Sequence, residues 1–378
     1  MSVGQVSKHT YARFMKTQPN TQEKTSVQSA QKASVIKLGL DIHADSVSVV
    51  RQIDGALPQP AQKFTWPAFW KWVAKQTQLA ERVHSCYEAG PFGYGTHRQL
   101  TELGIENIVV RPQDWDELGK GVKTDKSDAL ALVQRLDRYV GGNTQAFAVV
   151  HVPTEQQEIS RSESRLREQV RNNRQRIEAQ GRSMLLYYGV REKGRWWTPR
   201  RWAQIGSRLP EPIRVMVEVF VRLAQQLDQA LKEITVKIEK AAQENRPKGY
   251  GKLTAEAVDR EVLDWGRFKN RRQIASITGL CPGVHSSGNK REHRSMTKHG
   301  NPRLRKSLIE LAWRVIRYQP DYLPVKRRLP TLASPNGGAR NKAVAAIARH
   351  LVIDLWRIHT GRATMEALGL IMVSGEPS

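Results

Sequence analysis

Apolar and polar positions keep a two-residue period in the first part of the chain and a period of three to four in the later part. Ile36, Leu38, Leu40 and Ile42 alternate with Lys37, Gly39, Asp41 and His43, the pattern of a strand with one face in a core. A turn at Ala44–Asp45 leads into a second β-rich run, SVSVVRQI, and AQKFTW predicts a third strand. WPAFWKWVAKQTQLA reads as a helix with Pro67 in its first turn. RVHSCYEAG is a fourth strand, YGTHRQLTELG a helix closed by Gly104, IENIVVRP a fifth strand, and TDKSDALALVQRLDRYV a helix. The order βββαβαβα predicts a mixed α/β sheet with helices packed on it.

Strand signals then cease. TEQQEISRSESRLREQVRNNRQRIEAQGRSMLLYY is helical and basic. Farther on, Phe220, Leu223, Leu227, Ala230, Ile234, Ile238 and Ala241 fall at steps of three and four, one apolar stripe suited to a helical bundle or coiled coil. RNKAVAAIARHLVIDLWRI predicts a further amphipathic helix near the C-terminus. Residues 1–34 are polar and without period, which predicts a disordered basic tail. Three folded segments follow: an α/β domain over 35–150, a helical region over 151–245, and a mostly helical domain over 246–378.

Charge sharpens the picture. With 61 Lys and Arg against 36 Asp and Glu, the formal net charge is +25, a field that draws polyanions. No apolar run reaches the roughly 18 residues of a membrane span, and no signal-peptide core opens the chain. Cys86 and Cys281 are too few and too far apart for a disulfide framework or a cysteine zinc site, so a cytoplasmic, nucleoid-associated setting is expected. Residues 267–306 hold eleven Lys or Arg against Glu292 alone, which marks that stretch as a nucleic-acid contact.

Against this basic background, four acids stand out by position. Asp41 lies in the middle of the first strand on the face opposite its apolar residues, Glu88 ends the fourth strand, and Asp125 and Asp128 begin a helix three residues apart. If the first and fourth strands are neighbours, the four converge, and their mutual repulsion calls for hard cations such as Mg²⁺. Two such ions about 4 Å apart activate an attacking oxygen and stabilise a leaving one in phosphodiester cleavage. The plainer reading makes Asp125 a helix cap, Asp128 a first-turn acid and Glu88 a surface group. Asp45 rivals Asp41, but its place in a turn suits a structural acid.

LGLDIHADSVSVV, CYEAGPFGYG and KTDKSDALAL resemble the three acidic motifs of the DEDD transposases of the insertion-sequence-110 family. The resemblance implies a RuvC-like, RNase H-type fold for the N-terminal domain, with Asp41, Glu88, Asp125 and Asp128 as the acids that bind Mg²⁺, or Mn²⁺ in its place. GLCPGVHSSGNKR and MTKHGNPRLRKSL are similar to the second conserved block of that family, in its C-terminal transposase domain. Read from the residues alone, this is a small-residue loop, a basic segment and a helix capped at Asn301–Pro302. By resemblance, Ser287, directly before Gly288, is the recombinase nucleophile, with Ser286 its competitor. Lys290, Arg291, Arg294 and Lys298 surround it and would stabilise an attacked phosphate, and with Arg303 and Arg305 they are candidate nucleic-acid contacts. RPKGYGKLT is a looser match to the family's Pro-Gly-Ile-Gly hairpin.

KGRWWTPRRW interleaves Trp196 and Trp197 with Arg195, Arg200 and Arg201. Aromatic faces stack on unpaired bases while guanidiniums hold phosphates, although tryptophans at such a place also serve to pack helices. The resemblance implies a transposase that cuts and rejoins donor and target DNA by phosphodiester transesterification, guided by a non-coding bridge RNA, as a homodimer pairing into a tetramer. The same features would serve a junction-resolving nuclease that uses water, or a non-catalytic RNA-binding protein on a nuclease-like fold.

Overall fold

The computed structural model describes residues 32–112, 125–242, 246–287 and 290–372, with the backbone alone for 284–287 and 290–295. The basic tail read over residues 1–34 lies outside the described residues as far as residue 31. The chain divides into two compact units, Met1–Val152 and Pro153–Ser378.

In the first unit, β1 (Ala33–Ile42), β2 (Ser46–Ile53), β3 (Gln62–Thr65), α1 (Trp66–Leu79), β4 (Ala80–Glu88), α2 (Gly95–Glu102), β5 (Glu106–Val110) and α3 (Asp125–Val140) follow the predicted order. The sheet runs β3-β2-β1-β4-β5. β1 and β2 are joined by a tight turn and pair antiparallel, whereas β4 and β5 are each reached through a helix and pair parallel. One sheet face buries Ile36, Leu38, Leu40, Val83 and Tyr87 against Phe69 and Val73 of α1 and Leu100 of α2. Burying such side chains contributes about 1.5–3 kcal/mol each.

The other face is covered by α3, and here the sequence sets the spacing. Lys37, Gly39 and Asp41 project to that side at two-residue steps of about 6.7 Å; four-residue steps along a helix cover about 6 Å. The strand residues therefore meet successive turns of α3. The Lys37 ammonium donates to Asp137 at 2.6 Å, and a Cβ on Gly39 would lie 2.2 Å from the Ala129 carbonyl oxygen and 2.6 Å from the Val133 nitrogen. Asp41 then faces Asp125 at the head of the helix. Asp41 stands one residue from the end of β1 rather than at mid-strand, because the chain turns immediately after Ile42.

The second unit opens with α4 (Glu155–Tyr187), whose start is fixed by a reciprocal cap: the Thr154 hydroxyl accepts from the Gln157 amide, and the Gln157 side chain accepts from the Thr154 amide. After α5 (Pro199–Gly206), α6 (Glu211–Lys240) packs along α4. Its buried positions are Val217, Val221, Ala224, Asp228, Leu231 and Ile238. The line of burial thus runs one position to the side of the expected stripe, and Leu223 is left 40% exposed. Asp228 lies within that line of burial and accepts from Arg174 and Arg195.

The remaining elements are α7 (Lys252–Val262), α8 (Arg271–Ile277), β6 (Pro282–Ser287), β7 (Lys290–Met296), α9 (Pro302–Tyr318), α10 (Leu323–Lys326), α11 (Leu329–Leu332) and α12 (Gly337–His359). Their core is centred on α12, with Ile347, Leu351 and Leu355 packed against Leu304, Leu308 and Leu311 of α9. β6 and β7 pair as an antiparallel hairpin, where a loop and basic segment were expected. Their side chains are too polar to show alternation. Among the described residues, no helix is long and apolar enough to cross a membrane.

One acid in this unit makes stability sensitive to pH. Burial pushes the Asp259 carboxyl from its ordinary 3.8 up to about 6; the donor from the Trp265 indole opposes the rise and Glu256 adds to it. A raised carboxyl holds its proton in the folded chain where the unfolded chain has lost it, so stability falls as pH rises from about 4 to about 6. The side chain keeps 36% of its surface, and screening cuts the effect to about 1–2 kcal/mol. Asp259→Asn keeps an acceptor for Trp265 and is expected to raise stability by about that amount at pH 7.5 and by nothing near pH 4. Denaturant midpoints at the two pH values check this.

Candidate metal centre and serine hairpin

β1 and β4 carry the first two acids. Their parallel register pairs Leu40 with Tyr87, so Asp41 and Glu88 follow at the next step on adjoining strands. Leu40 and Tyr87 enter the α1–α2 core, so the alternation turns Asp41 and Glu88 to the α3 face. Cys86, two residues before Glu88, confirms that facing by packing against Leu132 and Leu136 of α3.

The tightest grouping is Asp41, His43 and Asp125, whose ligand atoms all lie within 4.8 Å of one another. The His43 Nε2 is 3.1 Å from Asp41 Oδ2 and 3.5 Å from Asp125 Oδ2, and Lys63 donates to Asp125 at 3.2 Å. Burial raises the Asp41 carboxyl above its ordinary value; His43 opposes the rise, and the charges of Asp125 and Asp128 add to it. Asp125 is held low, chiefly by the Lys63 hydrogen bond. Asp128 and Glu88 stand outside the tight group, each half-buried beside it.

His43 was not among the acids singled out by motif, although it sits two residues after Asp41, at the spacing that shares a strand face. Two carboxylates and an imidazole fit a divalent cation: carboxylate oxygens suit Mg²⁺ and Mn²⁺, and the ring nitrogen leans toward the transition metal. Asp45 is exposed in the turn and apart from the group.

The serine hairpin is held from below. Ser287 ends β6, paired in register with Lys290 across the turn, and Ser286 pairs with Arg291. The side chains of Ser286, Ser287, Lys290, Arg291 and Arg294 lie outside the described residues. Arg305 donates to the carbonyls of Thr278 and Lys298 and so ties the flanking segments together rather than facing outward. Gly300, at φ 145°, lies against the backbone of Ile277 and Gly279, where a side chain would not fit. The exposed Lys298 adopts a left-handed conformation at φ 55°. Arg303 donates to Glu168 of α4.

The tryptophan segment requires a correction. Trp196 and Trp197 are 0% and 2% exposed, packed with Leu185, Val217 and Val221. Gly181 makes room for the Trp196 ring, which approaches within 2.5 Å of where a Cβ would be, and its indole donates to the Glu178 carbonyl. These rings fill the helix pair and are closed to bases. Arg195 spans Asp228 and the Trp197 face, Arg201 pairs with Glu192, and Arg200 is exposed.

A mixed sheet whose β1 and β4 ends carry carboxylates, with two more at the head of the helix above them, is compatible with the RNase H-like class of nucleic-acid-processing domains. Comparison with known proteins narrows this. Residues 245–324 match the model of the transposase IS116/IS110/IS902 family. The chain is 33% identical over 287 residues to the predicted transposase y4qE of Sinorhizobium fredii, covering 73% of this chain and 69% of that one. It is 27% identical over 285 residues to the transposase for insertion sequence element IS1111A of Coxiella burnetii, covering 71% and 75%. With the transposase for insertion sequence element IS1533 of Leptospira borgpetersenii, identity is 25% over 307 residues, covering 74% and 84%. The chain belongs to the IS116/IS110/IS902 transposase family.

Proposed function

We propose that this transposase cuts and rejoins DNA through a serine nucleophile, Ser287, working with an acidic site formed by Asp41, Glu88, Asp125 and Asp128. The observation that carries the reading is the meeting of Asp41 and Asp125 around His43, with Glu88 next to Asp41 across the β1–β4 register. Acids separated by nearly ninety positions come to one end of one sheet.

Asp41, Asp125, Glu88 and Asp128 would hold Mg²⁺ or Mn²⁺, with His43 as a further ligand. When bound, such ions polarise the phosphate and lower the charge on the attacking and leaving oxygens. Ser287 Oγ attacks the phosphorus, the bond from phosphorus to the leaving strand oxygen breaks, and the serine proton ends on that oxygen as a free hydroxyl. The phosphoserine link conserves the bond energy, and attack by a hydroxyl of the other DNA restores serine and a phosphodiester. Lys290, Arg291, Arg294 and Lys298 would hold the phosphates about the nucleophile. Following the resemblance, a bridge RNA pairs with donor and target DNA, and the serine of one protomer completes the acids of another within a dimer of dimers.

The test is capture of the covalent step. The protein is mixed with DNA carrying the element's ends and Mg²⁺, denatured, and digested, and the DNA-linked peptide is sequenced. A phosphoserine adduct at Ser287 is the expected result. Cut DNA with no attached protein indicates water as the nucleophile and overturns the serine assignment; an adduct at Ser286 moves it by one position.

A further inference from the structure

The rings that the sequence offered for stacking are buried, yet the second unit displays another pair in the open. Trp313 is 43% and Tyr318 41% exposed, both on the outer side of α9. With Arg246, Gly249, Tyr250, Gly251, Arg314 and Arg317 they line an open cleft of about 720 Å³, within the size range of small-ligand sites. Trp313 and Arg317 are four residues apart, as are Arg314 and Tyr318. Two neighbouring ridges of the helix therefore each carry one aromatic ring and one guanidinium, about 6 Å apart along the axis.

The cleft is built rather than incidental. Gly249, at φ 87°, lies flat against the Tyr318 ring, and a Cβ there would be 2.9 Å from it. At Gly251 a Cβ would meet the Arg314 guanidinium at 3.1 Å. The RPKGYGKLT segment, with a glycine on each side of Tyr250, thus forms one wall that backs the Tyr318 ring and leaves Trp313 exposed. Arg317 stands over the Tyr318 ring at 5.5 Å. No carboxylate lines the cleft among the described residues, and neither Arg314 nor Arg317 has an ion-pair partner among them.

We infer that this cleft is a binding platform for unpaired nucleotides, with a base stacked on Trp313, a neighbouring base against the Arg317–Tyr318 pair, and phosphates held by Arg314 and Arg317. Exposed aromatic faces interleaved with unpaired guanidiniums match a single strand, whose bases are free to stack, and not a duplex, whose bases are covered by their neighbours. The inference deepens the nucleic-acid-handling reading above and rests on it only in expecting a strand as ligand. An unpaired stretch of RNA and an opened strand of DNA share this chemistry.

The test uses the full chain with the metal chelated, so that it is independent of whether Asp41 or Ser287 performs the chemistry. Fluorescein-labelled oligouridylate, oligothymidylate and a duplex of equal length are titrated by anisotropy at fixed salt. Trp313→Ala is expected to weaken binding of a single strand about tenfold, with Trp313→Phe restoring it and the duplex changed less than about twofold. Whichever single strand loses affinity identifies the source; loss on both assigns the platform to either. Equal weakening on the duplex, or no loss on either single strand, overturns the inference. Photocrosslinking of the unmodified chain to a 4-thiouridine-substituted strand guards against a misfolded variant. Crosslinks at Trp313 or Tyr318 support the platform, and crosslinks found only elsewhere refute it.

Discussion

Asp41→Asn is expected to reduce joining of the element's DNA by at least about a thousandfold while leaving the fold and nucleic-acid affinity intact. The change is nearly isosteric and removes one negative charge from a side chain that lies against His43 near the end of the central strand β1. Its neighbours explain the size of the effect. Asp125 and Asp128 already press on Asp41 electrostatically, so Asp41 is the acid through which the β1 and α3 contributions are joined. Asp45→Asn, four residues on and exposed in the turn, serves as the control and is expected to keep activity within about twofold. A time course of strand joining at saturating Mg²⁺ checks both. If Asp41→Asn kept its rate while Asp45→Asn lost it, the acids would have been misassigned.

Gly39→Ala should be the most damaging single methyl in the first unit. The added carbon would lie 2.2 Å from a carbonyl oxygen and 2.6 Å from an amide nitrogen of α3, and backbone atoms cannot rotate aside. Overpacking costs about 1–3 kcal/mol, and the upper end is expected where the blocking atoms belong to the backbone. The helix must lift from the sheet, and the lift is felt at its first turn, where Asp125 and Asp128 face Asp41. Denaturant unfolding should show the loss of stability. Strand joining, measured where the variant is still almost wholly folded, should fall well beyond what the unfolded fraction accounts for. A variant with normal stability and normal joining would mean that α3 does not seat on Gly39 in solution.

The first strand was legible because its apolar residues alternate with Lys37, Gly39 and Asp41, and the other strands of the first unit were legible as β-rich runs bounded by turns and helices. Convergence of the acids was legible in part. Asp41 and Glu88 could be placed at strand ends, but the register that sets them side by side is a property of pairing across forty-six intervening positions. His43 escaped because a histidine within a run of alternating residues carries no signal apart from its neighbours. The tryptophans show the opposite failure. Alternation of Arg and Trp is the same whether the rings face solvent or a helix, and the outcome here was decided by Gly181, which opens α4 just enough to admit Trp196. Trp313 and Tyr318, which do face outward, sit in a helix that the sequence announced only by its cap at Asn301–Pro302. The displaced seam of α6 was illegible in a similar way, since an apolar stripe drawn from sequence leaves no place for a buried aspartate that enters with two arginines.

Gln319, directly after Tyr318, is fully buried. Its amide donates to the carbonyls of Lys248 and Ile371, and its carbonyl accepts from the Ile371 nitrogen. One side chain thereby latches the chain's final segment to the glycine-bearing wall that borders Trp313. Trimming the protein back past Leu370, or straining that end with a short fusion, would strip two of the three partners from a sealed amide and slacken the wall. Anyone engineering this transposase would do well to keep its carboxyl end intact through Ile371.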